Sequence, residues 1–505
     1  MNSNGITLNC MLRRSARVRP NSDAVGDSRK FVSYRYLLEQ SEKLASGLSV
    51  QGIKKGDRLG ILMENRVEYV EIIFACSLLG AIVVPLNIRL HEEELQYIVS
   101  DSGCRLLFTS EKFLSVGETL ISNTNHCRVL INVDAQRDGD IGNYANLAGP
   151  YKADVEITED DPITLIYTSG TTGKPKGCIL THKSWIGNNM NLLTHFGFLP
   201  SDVYLAILPL FHVGGLGTIL GHLHVGATNL LMEKYSPAEM CESIRSNNAT
   251  TLFLVPPMLN DFLRVVEKEA DELCSVRIII AGAGLEPVEN VQKVNSLFPH
   301  ITYHGIYGQS ECGNIVTAAS RSALLNNPGC YGYELVNFNV KVVDDTDKEV
   351  NPGCIGELVV RGPSVMRGYW NQPIATSETL KGGWVHTGDL FLINSDDGTL
   401  EMVGRKKYLI KTGGENVYPR EVELVLLKHP GIEDCAVFGV GDPQWGESIK
   451  ACIVSRLGSG LDVDQLRKWC RSHLAGYKCP RDFEIVSLIP RNHSGKVLYE
   501  ELRSK

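Results

Sequence analysis

The stretch "YTSGTTGKPKG", Tyr167 to Gly177, packs four aliphatic hydroxyls, three glycines and two lysines into one short segment. Thr168, Ser169, Thr171 and Thr172 offer hydroxyl donors, and Gly170, Gly173 and Gly177 let the backbone turn sharply and approach a ligand. Lys174 and Lys176 add positive charge. The segment follows the strand-like "PITLIY" and precedes "CILTHKSWIGNNMNLL", so it bridges secondary elements as a nucleotide-binding turn does. It is not a Walker A loop, because Pro175 follows Lys174 and no glycine stands five residues before Gly173. A hydroxyl-rich loop with two lysines can still wrap a triphosphate through hydroxyls, amides and mobile charge. Taken alone, it also reads as a flexible surface loop.

Working outward, short β-rich runs alternate with helical segments from Tyr34 to about Leu230: "RLGILM", "AIVVPL", "CRLLFTS", "TLIYTS" and "NLLM". That alternation predicts parallel sheets of the α/β kind. A second set follows in "TLFLVPP", "VRIIIAGAG" and "ITYHGIYG". From about Phe338 the texture becomes short strands and turns, which predicts a small β-barrel or meander. A last segment of about a hundred residues has its own strands ("CAVFGV", "KACIVS", "DFEIV") and the helix "VDQLRKWCRSHL". The expected boundary divides residues 1–404 from 405–505.

At 505 residues the chain exceeds what one hydrophobic core supports. Hydrophobic residues at 43% and charged ones at 21% fit an ordinary globular protein, and the net charge of -8 argues against nucleic acid as a partner. The 14 cysteines show no C-x-x-C pair and read as reduced thiols of a cytoplasmic protein. Cys178 and Cys312 read as bystanders rather than nucleophiles. The N-terminus has no apolar stretch behind its basic residues, so it is no secretory signal. The longest apolar run, Ile72 to Leu86, is too short for a transmembrane segment and reads as a buried helix passing into a core strand. "MLRRSARVR" reads as a solvated first helix, with peripheral membrane contact as the alternative. Oligomeric state is left open, a homodimer being one option.

The opening stretch resembles the signature of the adenylate-forming superfamily, which includes acyl-CoA synthetases, luciferase and peptide-synthetase adenylation domains. Four further stretches match in the family's order: "YGQSEC" (307–312), "HTGDL" (386–390), "GRKKYLIKTGGENVYPREVE" (404–423) and "PRNHSGKV" (490–497). The resemblance covers nearly the whole chain. It implies an α/β fold: a large N-terminal part of two sheet subdomains plus the small β-unit, followed by a small mobile α+β domain. It also implies ATP, Mg2+ and coenzyme A as cofactors, and activation of a small-molecule carboxylic acid as acyl-AMP before transfer to CoA.

By that resemblance, Thr168, Ser169, Gly170, Thr171, Thr172 and Lys176 hold the phosphates, with Glu311 and Thr168 on the magnesium side. Tyr307 resembles the residue packed against adenine, with Ala283, Gly284, Gly305, Gly308 and Ser310 around it; Ser310 stands where the family usually has Thr. Asp389, in a turn, takes the ribose hydroxyls, and Arg405 is a second contact. Lys496 bridges the incoming carboxylate and the α-phosphate. Asn492 and His493 replace the more usual Thr and Pro beside it. For the second half reaction, the last domain rotates on a hinge near Lys406 and Lys407, where Tyr408 departs from the family's frequent Asp. Gly413 and Gly414 then line the pantetheine tunnel, and Trp445 and the "YKCPR" stretch approach CoA.

His212 of "LPLFHVGGLG" resembles the residue at the mouth of the acyl pocket in fatty-acyl and aryl-CoA ligases. Where peptide-synthetase domains have Phe-Asp, this chain has Phe211 and His212, so an amino acid is excluded as the expected substrate. Gly214, Gly215 and Gly217 either deepen an apolar pocket or permit tight packing. Fatty and aromatic acids both remain, as do a carrier-protein acceptor and a dicarboxylate of the o-succinylbenzoate type.

Overall fold

The computed structural model describes residues 5–134, 144, 155–168, 174–266, 274–282, 284, 287–456, 460–491 and 497–503. Two mostly parallel sheets dominate. The six-stranded sheet runs Val129–Asn132, Leu106–Thr109, Arg58–Leu62, Ile82–Pro85, Pro162–Thr168, Lys176–Thr181, and only the last pair is antiparallel. The nine-stranded sheet runs Tyr333–Glu334, Asn314–Ser320, Thr302–Gln309, Ile278–Gly282, Thr251–Leu254, Val203–Ala206, Thr228–Leu231, Asp23–Gly26, Phe31–Ser33. It is parallel from Thr302–Gln309 to Asp23–Gly26 and antiparallel at both edges. Every run read from the sequence as a strand in this part falls on one of these strands.

The apolar run behaves as its composition requires. Val67–Leu79 is a helix buried on every side, which ends at Gly80 (φ +70°), and Ile82–Pro85 continues as a core strand. Its two acidic residues are compensated: Glu68 pairs with Arg66 at 2.7 Å and Lys30 at 2.8 Å, and Tyr144 Oη donates to Glu71 Oε2 at 2.6 Å. The first helix, Leu8–Val18, buries Leu8, Met11, Leu12 and Ala16 and leaves its arginines outward, so it is a surface helix of the fold. Among the described residues no helix is long and apolar enough to cross a membrane. All fourteen cysteines are free thiols.

Beyond residue 338 a five-stranded antiparallel sheet forms from Asn339–Val343, Gly356–Arg361, Leu380–Lys381, Trp384–Ile393 and Leu400–Arg405. Leu380–Lys381 and Leu400–Arg405 both pair with Trp384–Ile393, which gives the small antiparallel β-unit that the sequence texture predicts. The last sheet comprises Ile410–Thr412, Glu415–Val417, Ile432–Asp442, Gly446–Ser455 and Asp482–Val486, packed on helices Pro419–Leu427 and Val463–His473. It has its own core of Val417, Val422, Leu426, Val437, Ile453 and Leu466.

Candidate active site

Tyr167–Gly177 forms a β-hairpin in which Thr168 pairs with Lys176 and Tyr167 with Gly177. Its tip, with Ser169, Gly170, Thr171 and Thr172, lies outside the described residues. Gly177 packs closely where it stands: a Cβ there would make a tight 3.0 Å contact with the Tyr167 ring, whose hydroxyl donates to Asp101 Oδ2 at 2.6 Å. The outer strand is held by the segment 366–370 through Arg367 N to Ile179 O (2.9 Å), Ile179 N to Gly368 O (2.9 Å) and Trp370 N to Gly177 O (2.8 Å). This brings Tyr369 beneath the hairpin. The Lys176 ammonium lies 5.1 Å from the centre of its ring, and its hydroxyl donates to Glu311 Oε1 at 2.8 Å. Burial, and then Glu311, push the Tyr369 phenol well up, so it remains a donor.

Ser310 and Glu311 sit on the 3-10 turn Ser310–Cys312, which Gly313 ends at φ +79°. Upstream, Gly308 lies so close to Asn314 O that any side chain would collide. Gly305 instead serves packing, since a Cβ would meet Leu324 at 2.8 Å. Tyr307 lies edge-on to Phe391 and Tyr331, and its hydroxyl donates to Asp389 Oδ2 at 2.7 Å. Asp389 Oδ1 is 3.0 Å from Arg405 Nε. Burial, the largest single influence, would lower the Arg405 guanidinium, but Asp389, with Tyr307, Tyr408 and Glu311 behind it, raises it overall. Asp389 is part of the strand Trp384–Ile393 rather than of a turn, as its sequence context suggests, because Gly388 (φ +70°) absorbs the bend and the ladder to Arg405 continues. Tyr307, Asp389 and Arg405 thus form one linked group, and Glu311, Tyr369 and Lys176 form another.

The AMP-binding enzyme pattern matches residues 12–370, and that of the AMP-binding enzyme C-terminal domain matches residues 421–496. The chain belongs to the AMP-binding enzyme family. It is 35% identical over 493 residues to a feruloyl-CoA synthase from an Amycolatopsis species, covering 97% of each chain. It is 32% identical to a fatty acid–[acyl-carrier-protein] ligase of Streptomyces coeruleorubidus, covering 97% of this chain and 94% of the relative. Among solved structures it is similar to o-succinylbenzoate CoA synthetase from Bacillus subtilis bound to its acyl-adenylate, with 30% identity, a TM-score of 0.86 and coverage of 98% and 97% of the two chains.

In this AMP-binding enzyme, His212 precedes the helix Val213–Val225, its ring 4.6 Å from that of Phe211. A cavity of about 140 Å3 opens beside this pair, lined by Asn65, Arg89, Lys112, Phe211, Lys234 and Tyr235. Arg89 lies 5.9 Å from the centre of the Phe211 ring. The glycines after His212 divide between the two readings. Gly215 would clash with Pro209 O at 2.3 Å, which is tight packing, whereas a Cβ on Gly214 would meet Phe253 at an ordinary 3.5 Å. Gly284 is exposed near Pro256, and Ala283 lies outside the described residues.

In the last sheet, Gly413 (φ +60°) and Gly414 (φ +85°) turn the hairpin between Ile410–Thr412 and Glu415–Val417. Gly413 N donates to Trp445 O at 2.8 Å, and a Cβ there would sit 2.8 Å from the Trp445 ring. Arg481 of "YKCPR" stacks on that ring at 4.5 Å. Lys406 pairs with Asp345 at 2.8 Å and Glu357 at 3.2 Å, and the Tyr408 ring lies 4.5 Å from Tyr499. Lys496 lies outside the described residues. Cys178 and Cys312 are fully buried and their thiols are pushed far up, first by burial and then by Glu311, which suits bystanders.

Sequence reasoning missed Tyr369 and Arg89. The only cue for Tyr369 is the aromatic pair in "RGYWN", which carries no spacing signal and acquires meaning only when the segment is seen against the hairpin.

Proposed function

We propose that the chain activates a carboxylic acid, fatty or aromatic, as its acyl-adenylate and then transfers the acyl group to CoA. The carboxylate oxygen attacks the α-phosphorus, the bond to the bridging oxygen breaks, and pyrophosphate leaves. The CoA sulfur then attacks the acyl carbon, the carbon–oxygen bond to AMP breaks, and the thiol proton passes to solvent. The observation that carries the reading is the linking of Lys176, Tyr369 and Glu311 in one group and of Tyr307, Asp389 and Arg405 in another.

On this reading the hydroxyls of 168–172 and the Lys176 ammonium take the triphosphate, and Glu311 and Thr168 face the magnesium ion. The fit for magnesium is good: a carboxylate is a hard oxygen ligand, and Tyr369 occupies Oε1, leaving Oε2 for the ion. Magnesium would supply charge neutralisation at the phosphates. Asp389 takes the ribose hydroxyls, because a carboxylate has more acceptor sites than the two that Tyr307 and Arg405 use. His212 stands at the acyl carboxylate, and Lys496 bridges carboxylate and α-phosphate. Residues 405–505 act as a lid that swings near Lys406 and Lys407, bringing Gly413, Gly414 and Trp445 toward CoA. The enzyme acts in the cytoplasm, where ATP and CoA are supplied.

The test is mass spectrometry of products from Mg-ATP and a panel of carboxylic acids, with and without CoA. Acyl-CoA that forms only with CoA is the expected result. Acyl-adenylate accumulating regardless of CoA sinks the thiol assignment and favours a carrier-protein acceptor. Lys496→Ala is expected to lose adenylate formation yet thioesterify a supplied acyl-adenylate; loss of both steps overturns its role.

A further inference from the structure

Asn314 begins the strand Asn314–Ser320, three residues after Glu311, and departs from ordinary backbone geometry with φ +142°. A non-glycine residue pays for such a conformation, and the cost is tolerated where the surroundings impose it. Its side chain is 4% exposed, and Nδ2 has no hydrogen-bond partner. An amide donor left bare in the interior is costly.

The geometry around it is specific. A Cβ placed on Gly217 would lie 2.6 Å from Asn314 Nδ2 and 3.1 Å from Asn188 Nδ2. Two buried amide donors therefore converge on Gly217, one of four glycines in the helix Val213–Val225. The Asn188 donor has only a long contact of 3.4 Å to Gly217 O and one of 3.5 Å to Asn189 Oδ1. Gly217 is five residues, about 7.5 Å of helix rise, beyond His212. Asn314 thus lies between Glu311 and the helix that His212 opens.

We infer that Asn314, with Asn188 and across Gly217, is a specificity-determining residue that receives an uncharged oxygen on the acyl group: a hydroxyl, ether or keto oxygen. Donors without charge suit a neutral acceptor better than a second carboxylate, which asks for a cation. An acid that lacks the oxygen leaves the amides bare in the complex, and a site built to hydrogen-bond a substrate rejects such an analogue. This rests on the acid-activating reading above and narrows its substrate class.

The test compares acids that differ by one oxygen: cinnamate with 4-hydroxycinnamate, benzoate with 4-hydroxybenzoate, octanoate with 8-hydroxyoctanoate. The readout is kcat/KM from acid-dependent pyrophosphate release, which needs no thiol acceptor. The native enzyme is expected to favour the oxygenated member of at least one pair by about tenfold or more. Asn314→Gly, which suits the positive φ, and Gly217→Ala, which fills the space from the other side, are each expected to bring that ratio toward one while KM for ATP holds. A native enzyme indifferent to the oxygen in every pair overturns the inference. So do variants that lower both members equally, since that result marks a packing or water site. Failure to make acyl-CoA despite acid-dependent pyrophosphate release counts against the CoA reading alone.

Discussion

Tyr369 reaches Glu311 with a 2.8 Å hydrogen bond while its ring lies under the Lys176 ammonium, so one side chain joins the acidic turn to the hairpin Tyr167–Gly177. Removing the hydroxyl leaves the ring and its contact with Lys176 but frees Glu311 to rotate. Tyr369→Phe is expected to raise the magnesium concentration needed for half-maximal pyrophosphate release about tenfold, the cost of one charge-assisted hydrogen bond. KM for the acid should stay put. An unchanged magnesium curve would show that Glu311 needs no such support.

Asp389 is held by Tyr307 and Arg405 and is nearly inaccessible. If its carboxylate takes the ribose diol, the native enzyme discriminates against 2′-deoxy-ATP, and Asp389→Asn loses most of that discrimination. Steady-state kinetics with both nucleotides decide it. Equal use of the two nucleotides by the native enzyme would remove the ribose role.

Gly413 sits at φ +60° against Trp445. Gly413→Ala strains the backbone and pushes a methyl into the indole. Thioester formation from a supplied acyl-adenylate should fall by about tenfold or more, with adenylate formation within about twofold of native. Trp445→Ala should raise KM for CoA and leave KM for ATP alone. Equal losses in both half reactions would place these residues outside the CoA path.

Three histidines set an acid limit. His182, His222 and His304 are lowered to about 4, in each case first by burial. The folded chain keeps them neutral while the unfolded chain protonates them near 6.5, so the unfolded state binds more protons between these values. Stability is therefore full above about pH 6.5 and is lost as pH falls toward about 4, by up to about 1.4 kcal/mol per pH unit for each group. His222, stacked between Phe198 and Tyr204 and donating from Nδ1 to Thr218 O, is the cleanest to remove. Urea unfolding of His222→Phe should show a shallower loss between pH 7 and pH 5 than the native chain. An identical slope would mean that this group titrates normally.

Much of this was legible in the sequence because parallel strands buried on both faces read as short apolar runs, as "VRIIIAGAG" and "TLFLVPP" do. The ordered motifs likewise located Glu311, Asp389 and Arg405, whose chemistry depends on residue type. What spacing could not reveal was anything made by distant segments meeting. Tyr369 gains its role from contact with a hairpin formed far upstream, and Asn314 from a helix that happens to lack a side chain at Gly217. Asp389 was misplaced in a turn because "HTGD" has turn chemistry, yet the ladder to Arg405 prevails over local preference.

The backbone bonds that join Ile179 and Gly177 to residues 367–370 carry a consequence for biosynthesis. The outer strand of the hairpin Tyr167–Gly177 leaves the ribosome long before the segment that holds it, and non-local pairing of this kind is slow to form. A nascent chain stopped short of residue 370 would retain most of the six-stranded sheet but leave that outer edge uncovered. Competence to grip a nucleotide would then arrive late in translation, and until it does the exposed edge is where a chaperone would be needed.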